Sequence, residues 1–231
     1  MPNNKADQFR LRVRYSKHDR LAHLGHLEVI NTINRCVRRS GLPFAVGNGF
    51  ARRIRLQFSQ ALPVGASSAG EFFDLLLTER VDAQDALAAL KRSTPPALAP
   101  LQSGYVAHEL PALEAWLTRS SWGVTLLDDA DVAAFMGAIG LLREQGSLCY
   151  DRNGKPRRID LASSLVSVEP RPSGMGFLLD CRSSNEGSLR PATLVAAAAR
   201  SLGQETPALR VCRLCQWHEE DGRLVEALPR A

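Results

Sequence analysis

No stretch of the sequence approaches the roughly 18 consecutive apolar residues that a membrane-spanning helix requires, so no membrane association is expected. The opening run MPNNKADQFRLRVRYSK has no apolar core, so it does not read as a secretory leader. Cysteine is scarce and odd in number, five in 231 residues, which argues against a disulfide framework and for a reducing cytoplasm. The cysteines also lack metal-site spacing. Cys212 and Cys215 form one pair, but Cys36, Cys149 and Cys181 stand alone, so neither a metal nor another cofactor is expected. The lone Gly-x-Gly of PSGMGF has no Lys-Ser/Thr after it and reads as a turn rather than a phosphate loop. Acidic residues are missing from one end. Residues 1–60 hold three Asp/Glu against twelve Lys/Arg, a local +9, in a chain of net charge +5, so the remainder sums to −4. A basic first quarter on a mildly acidic body points to a face that attracts polyanions, whether RNA, DNA or an acidic protein.

An apolar content of 45% places the chain among globular proteins. FRLRVRYS alternates apolar and basic residues from Phe9 to Tyr15, the period of a half-buried strand. A helix follows over Leu24–Ser40, stopped by Gly41 and Pro43. RIRLQFS (Arg53–Ser59) and EFFDLLLTE (Glu71–Glu79) read as strands around the turn-rich ALPVGASSAG. Asp82 is placed to cap the helix DAQDALAALKRS, and GYVAHEL supplies a fourth strand. This β-α-β-β-α-β order is the ferredoxin-like arrangement. The second half offers the same order: strand WLTRSSWGVTLLD, helix VAAFMGAIGLLRE capped by Asp131, hairpin SLCYDRNGKPRRIDLA turning at Asn153-Gly154, strand FLLDCRS after the loop EPRPSGMG, helix RPATLVAAAARSLG and strand LRVCRLCQWHE. The expected fold is therefore α+β, two ferredoxin-like units with antiparallel sheets and helices on one face. The first is a basic unit at 1–110 and the second, carrying an additional hairpin strand, at 111–231.

Projected at 100° per residue, the first helix places Leu27, Ile30, Ile33 and Val37 on one side, flanked by Val29 and Cys36, with Glu28, Asn31, Arg35, Arg38 and Arg39 opposite. His26 falls on the apolar side in the first turn, where a histidine packs and hydrogen-bonds more often than it catalyses. His26 and Glu71 are the candidates for acid–base work, though neither a substrate path nor an orienting partner is visible in the sequence, and His23 in the lead-in loop lacks a partner too. The arginines share a solvent face with a single opposing carboxylate. Such a face costs stability unless an anion answers it. Arg53 and Arg55, two residues apart, add to it, with Arg52 pointing the other way. Guanidinium binds phosphate through paired hydrogen bonds, so Lys17, Arg35, Arg38, Arg39, Arg53 and Arg55 read as RNA-binding candidates, with Arg157 and Arg158 of the hairpin as a second patch. A merely solubilising basic face is the plain alternative.

The run HLGHLEVINTINRCVRRSGLPFAVGNGF followed by IRLQFSQALPVGASSAGEFFD resembles the radical-SAM-linked proteins, a bacterial family. Members sit beside, or are fused to, cobalamin-type radical SAM proteins, and some are joined to ribonuclease E/G-type sequences. The family pattern is an "SHLD"-like turn into a helix, a basic "RRxGLP" end, then "GF…PLPxG…SxxE". The matching positions are His26-Leu27-Glu28, Arg38-Arg39-Ser40-Gly41-Leu42-Pro43, Gly49-Phe50, Leu62-Pro63-Val64-Gly65, and Ser68 with Glu71. Where the family has an Asn-Pro-His-Pro-like loop after Gly-Phe, this chain has Ala51-Arg52-Arg53-Ile54 and exchanges that histidine for charge. The resemblance implies an accessory role beside a radical SAM partner, acting on a tRNA or rRNA. The leading expectation is a non-catalytic RNA-binding or substrate-presenting protein. Two alternatives stand beside it: a metal-independent ribonuclease or RNA-modifying enzyme using His26, and a module that docks an acidic enzyme partner.

Overall fold

The computed structural model describes residues 8–152, 154–172, 174–184 and 187–228. The fold is mixed α+β, as the sequence predicts, with six α-helices among the described residues. The chain divides into two units: residues 8–117 rejoined by 225–228, and Thr118–Leu224. No described helix is long and apolar enough to cross a membrane.

The first unit runs β1 (Phe9–Lys17), α1 (His26–Ser40), β2 (Leu56–Phe58), β3 (Ser67–Leu77), α2 (Ala83–Ser93), β4 (Pro100–Tyr105) and a single turn, α3 (Leu113–Trp116). Its strands lie in the order β2-β3-β1-β4, each pair antiparallel. The capping residues act as their types require. The Glu28 carboxylate accepts the Gly25 N–H at 2.7 Å at the start of α1, and Gly41 ends that helix at φ +76°, a conformation glycine adopts without steric cost. Asp82 accepts the N–H groups of Gln84 and Asp85 to start α2. Helices α1 and α2 cover one sheet face, where Leu11, Val13, Phe73, Leu75 and Leu77 pack with Val29, Ile33, Val37, Ala86 and Leu90.

Several boundaries differ from expectation. The strand expected at 53–59 shortens to β2, preceded by an isolated bridge between Val46 and Ile54. Strand β3 begins within the expected connector, and β4 ends at Tyr105, one residue into the expected fourth strand Gly104–Leu110. In α1 the buried stripe is Val29, Ile33, Cys36 and Val37, rotated toward Cys36, so Leu27 is 73% exposed rather than core.

The larger correction concerns β1, which is covered on both faces rather than half-buried, with Arg10 and Arg12 5% and 0% exposed. A third layer of α3 and residues 227–228 covers the arginine face, packing Leu113, Trp116, Leu117, Ala227 and Leu228 against Phe72. Asp74 stands directly across from Arg12 in the β1–β3 register and answers both guanidinium groups. Arg10 Nε donates to it at 2.6 Å, and Arg12 donates through Nε at 2.8 Å and Nη2 at 3.0 Å. The remaining Arg10 donors reach Gln57 and the carbonyls of Leu110 and Pro111. Arg12 also bonds the Ala227 carbonyl and lies 4.7 Å over the Trp116 ring. Buried cations require this degree of pairing.

The second unit runs β5 (Arg119–Leu126), α4 (Val132–Glu144), β6 (Ser147–Arg152), β7 (Lys155–Asp160), the turn α5 (Leu161–Ser164), β8 (Leu165–Pro170), β9 (Gly176–Ser184), β10 (Gly187–Ser188), α6 (Pro191–Ser201) and β11 (Leu209–Glu220). Strand order is β8-β9-β5-β11, with β10 beside the end of β9. The hairpin β6–β7 forms a separate two-stranded sheet. It therefore does not supply the strand beside β9. That position belongs to β8, a segment to which the sequence analysis assigns no element. Burial explains the difference, since β7 buries Ile159 alone and has no apolar face to offer a sheet. The hairpin residue Asn153 lies outside the described residues; Gly154 beside it has φ +74°, as a turn glycine does.

In this unit Glu219 accepts bonds from Arg182 at 2.7 Å and from Arg119 at 2.8 Å, while Arg119 also pairs with Asp180. The Arg182 bonds first, with those of Arg119, hold the Glu219 carboxyl down at about 2 from its ordinary 4.5. A depressed carboxyl contributes stability above its unfolded pKa and loses it as pH falls through the folded value. Glu219→Gln is thus expected to flatten the fall in the second unit's stability between about pH 4.5 and 2. Urea titrations of both proteins across that range check this. Equal pH slopes would show that the pairing does not couple to folding.

Candidate functional site

The predicted residues of the first unit fall at two places, set at opposite ends of α1. Thirteen residues separate His26 from Arg39, a rise of about 20 Å at 1.5 Å per residue.

At the N-terminal end of α1, a small pocket is lined by Tyr15, Lys17, His26, Val29, Leu62 and Glu71. Three chain segments build it. Lys17 arrives at the end of β1, Glu71 comes from β3, where Tyr15 is its register partner, and His26 opens α1. Lys17 is 2% exposed, and its Nζ donates to the carbonyls of Ala22 at 2.9 Å and Leu24 at 2.8 Å. It thereby clamps the turn that leads into α1. The Ala22 carbonyl also accepts the Gly65 N–H, so the Leu62-Pro63-Val64-Gly65 segment is tied to that same turn. Gly65 has φ +86°, which suits glycine there. His26 is half-buried and stands edge-on to Phe58, ring centroids 6.1 Å apart. Glu71 is buried and accepts from the Ser59 hydroxyl at 3.4 Å. His26 and Glu71, paired only by residue type in the sequence, thus share one pocket, joined by Lys17. Burial separates Lys17 from the arginines with which it was grouped.

At the C-terminal end of α1 the cations are exposed. Arg35, Arg38 and Arg39 all face solvent, with Arg38 5.9 Å from the Phe44 ring and Arg35 bonded to the Asn31 carbonyl. Beyond Pro43 the chain passes Phe44 and forms the loop between bridged Val46 and Ile54, closed by Gly47 N–H donating to the Arg53 carbonyl at 2.8 Å. This loop carries Phe50, Arg52 and Arg53, all exposed, while Arg55 beyond it is half-buried. Arg52 is exposed like Arg53, not turned to an opposite sheet face, because residues 52 and 53 lie outside a strand. Among the described residues, none of Arg35, Arg38, Arg39, Arg52 and Arg53 pairs with a carboxylate. The contrast with Arg10, Arg12 and Arg119 is plain: those three buried arginines are paired with carboxylates, and these are not.

Arg157 and Arg158 lie exposed on β7 of the second unit, where Arg158 helps hold the Asp160 carboxyl below its ordinary range, a smaller effect than the Asp160 bonds to Ser163. The sequence did not single out Tyr15, and Leu62 entered only through the Leu62-Pro63-Val64-Gly65 match; nothing in their local pattern marks them as pocket residues. Phe50 entered only through the Gly49-Phe50 match.

No curated protein matches the chain. A family model matches residues 10–191, reaching into both units. The chain belongs to that family, described as an uncharacterized protein conserved in bacteria (DUF2344).

Proposed function

We propose that this chain is an accessory RNA-binding or substrate-presenting protein that acts with a radical SAM enzyme in the modification of a tRNA or rRNA. The observation that carries the RNA half is the set of five exposed arginines without carboxylate partners at one end of α1 and in the adjoining loop. Such cations hold phosphates by paired hydrogen bonds and position a nucleic acid without reading its sequence. The radical SAM half rests on the sequence resemblance. All five cysteines are free thiols, which suits work in the reducing cytoplasm. We read both units as ferredoxin-like on their strand orders, β2-β3-β1-β4 and β8-β9-β5-β11. The test is titration of tRNA and rRNA fragments against the wild type and Arg38→Ala/Arg39→Ala at several salt concentrations. Salt-steep binding weakened in the variant supports the proposal. Binding indifferent to salt and to the variant defeats it and favours docking to an acidic protein.

A second reading has its own observation, the convergence of Lys17, His26 and Glu71 on one pocket. There the imidazole would act as general acid or base beside a carboxylate, in a metal-independent ribonuclease or RNA-modifying enzyme. Under this reading, RNA turnover persists in chelator and drops at least about 100-fold in His26→Ala, the scale of a lost acid–base group. His26→Ala that turns over RNA like the wild type excludes it.

A further inference from the structure

Phe50 is the most exposed large apolar side chain described, with a relative exposure of 109%, beyond that of the reference state for an isolated residue. It occupies the end of the loop closed by the Gly47–Arg53 hydrogen bond and the Val46–Ile54 bridge, with Arg52 and Arg53 two and three residues on. The other phenylalanines of this unit are buried or half-buried. Arg52 holds φ +39°, an unfavourable conformation for a residue with a Cβ, in the turn that follows Phe50. An aromatic ring held outward by a closed loop and bordered by unpaired cations is ill suited to water and well suited to a flat, anionic partner.

We infer that Phe50 is a stacking post for an unpaired nucleobase, so that the nucleic acid held at this end of the first unit is single-stranded there. This inference rests on the RNA-binding proposal and narrows its substrate class. Charge complementarity selects the occupant. An apolar protein pocket would take the ring alone and leave Arg52 and Arg53 unanswered, whereas a single strand offers a base to the ring and phosphates to the guanidinium groups at once. Duplex RNA offers phosphates but keeps its bases stacked on one another, out of reach of a side chain. Base–aromatic stacking tolerates every base, because each has a π-face. No sequence preference is therefore expected from Phe50.

The experiment measures fluorescence anisotropy of a labelled 12-nucleotide RNA, single-stranded or annealed to its complement, against the full chain and Phe50→Ala, Phe50→Trp and Arg52→Ala/Arg53→Ala. Phe50→Ala is expected to weaken single-strand binding roughly 5- to 100-fold and to leave duplex binding within about twofold. Its salt slope should match the wild type, since no charge is removed. Phe50→Trp should restore affinity and show indole quenching on binding. Arg52→Ala/Arg53→Ala should lower both affinities and the salt slope. Equal losses for single strand and duplex in Phe50→Ala, or no loss in either, overturn the stacking post while RNA binding itself stands. Wild type that binds neither RNA overturns the RNA proposal and this inference together, and points to protein docking by the loop. Circular dichroism of each variant, expected unchanged for so exposed a ring, shows that the comparison is made between folded proteins.

Discussion

Asp74→Ala is expected to destabilise the first unit by about 3–5 kcal/mol, the cost of leaving buried cations without their counter-ion. The carboxylate sits 2.6 Å from Arg10 and 2.8 Å from Arg12, and all three side chains are nearly inaccessible. With Asp74 gone, two guanidinium groups share one face of β1 with backbone carbonyls, Gln57 and the Trp116 ring beside them. Carbonyl dipoles orient a cation but do not cancel its charge. Arg12→Met is expected to cost less, because it removes a charge and leaves Asp74 paired with Arg10. Urea denaturation followed by tryptophan fluorescence checks both, read in a Trp122→Phe/Trp217→Phe background so that the signal comes from Trp116, which packs on Arg12. A loss below about 1 kcal/mol in Asp74→Ala would mean that water reaches the pair, as it does in surface ion pairs.

That cluster also marks where the sequence stopped being informative. The alternation in FRLRVRYS identified β1, and the order of elements identified an α+β fold. Asp82, Asp131 and Gly41 could be placed as helix signals because capping is settled within three or four residues. The burial of Arg10 and Arg12 was not legible. It depends on Asp74, more than sixty residues away, and on a covering layer from α3 and the returning residues 227–228. A period-two strand shows that it has two faces, not how many of them are covered. Strand β8 was missed for a similar reason. LVSVEP runs into Pro170 and a glycine-rich turn, and only its pairing with β9 distinguishes it from their approach. The candidate site divides the same way. The arginines of α1 were legible because a helix fixes its own faces. The union of Lys17, His26 and Glu71 was not, since β1, α1 and β3 meet only through the sheet register. Phe50 could not be told from a core phenylalanine by its neighbours.

RNA affinity is expected to fall about 100-fold between 50 and 200 mM monovalent salt, if the five exposed arginines each neutralise one phosphate of a single strand, at a slope of about −0.7 per contact. Five contacts give a slope near −3.5, and a fourfold rise in salt then costs about two decades. Arg38→Ala/Arg39→Ala should reduce the slope to about −2 and flatten the same loss to roughly 20-fold. The two effects separate the arginines' roles. A side chain that touches phosphate changes the slope, while one that only shapes the helix end changes affinity at every salt concentration alike. Arg10→Met is a poor control because it breaks the buried cluster, whereas Arg157→Ala/Arg158→Ala asks whether the hairpin of the second unit adds contacts. If it does, the wild-type slope is steeper than −3.5 and becomes shallower by about 1.4 in that variant. If it does not, the slope is set by the first unit alone. Lys17→Met should leave the slope unaltered, because its ammonium is turned inward to the Ala22 and Leu24 carbonyls. A slope that drops in Lys17→Met with the fold intact would place that cation on the RNA and require the pocket beside His26 to open when RNA binds.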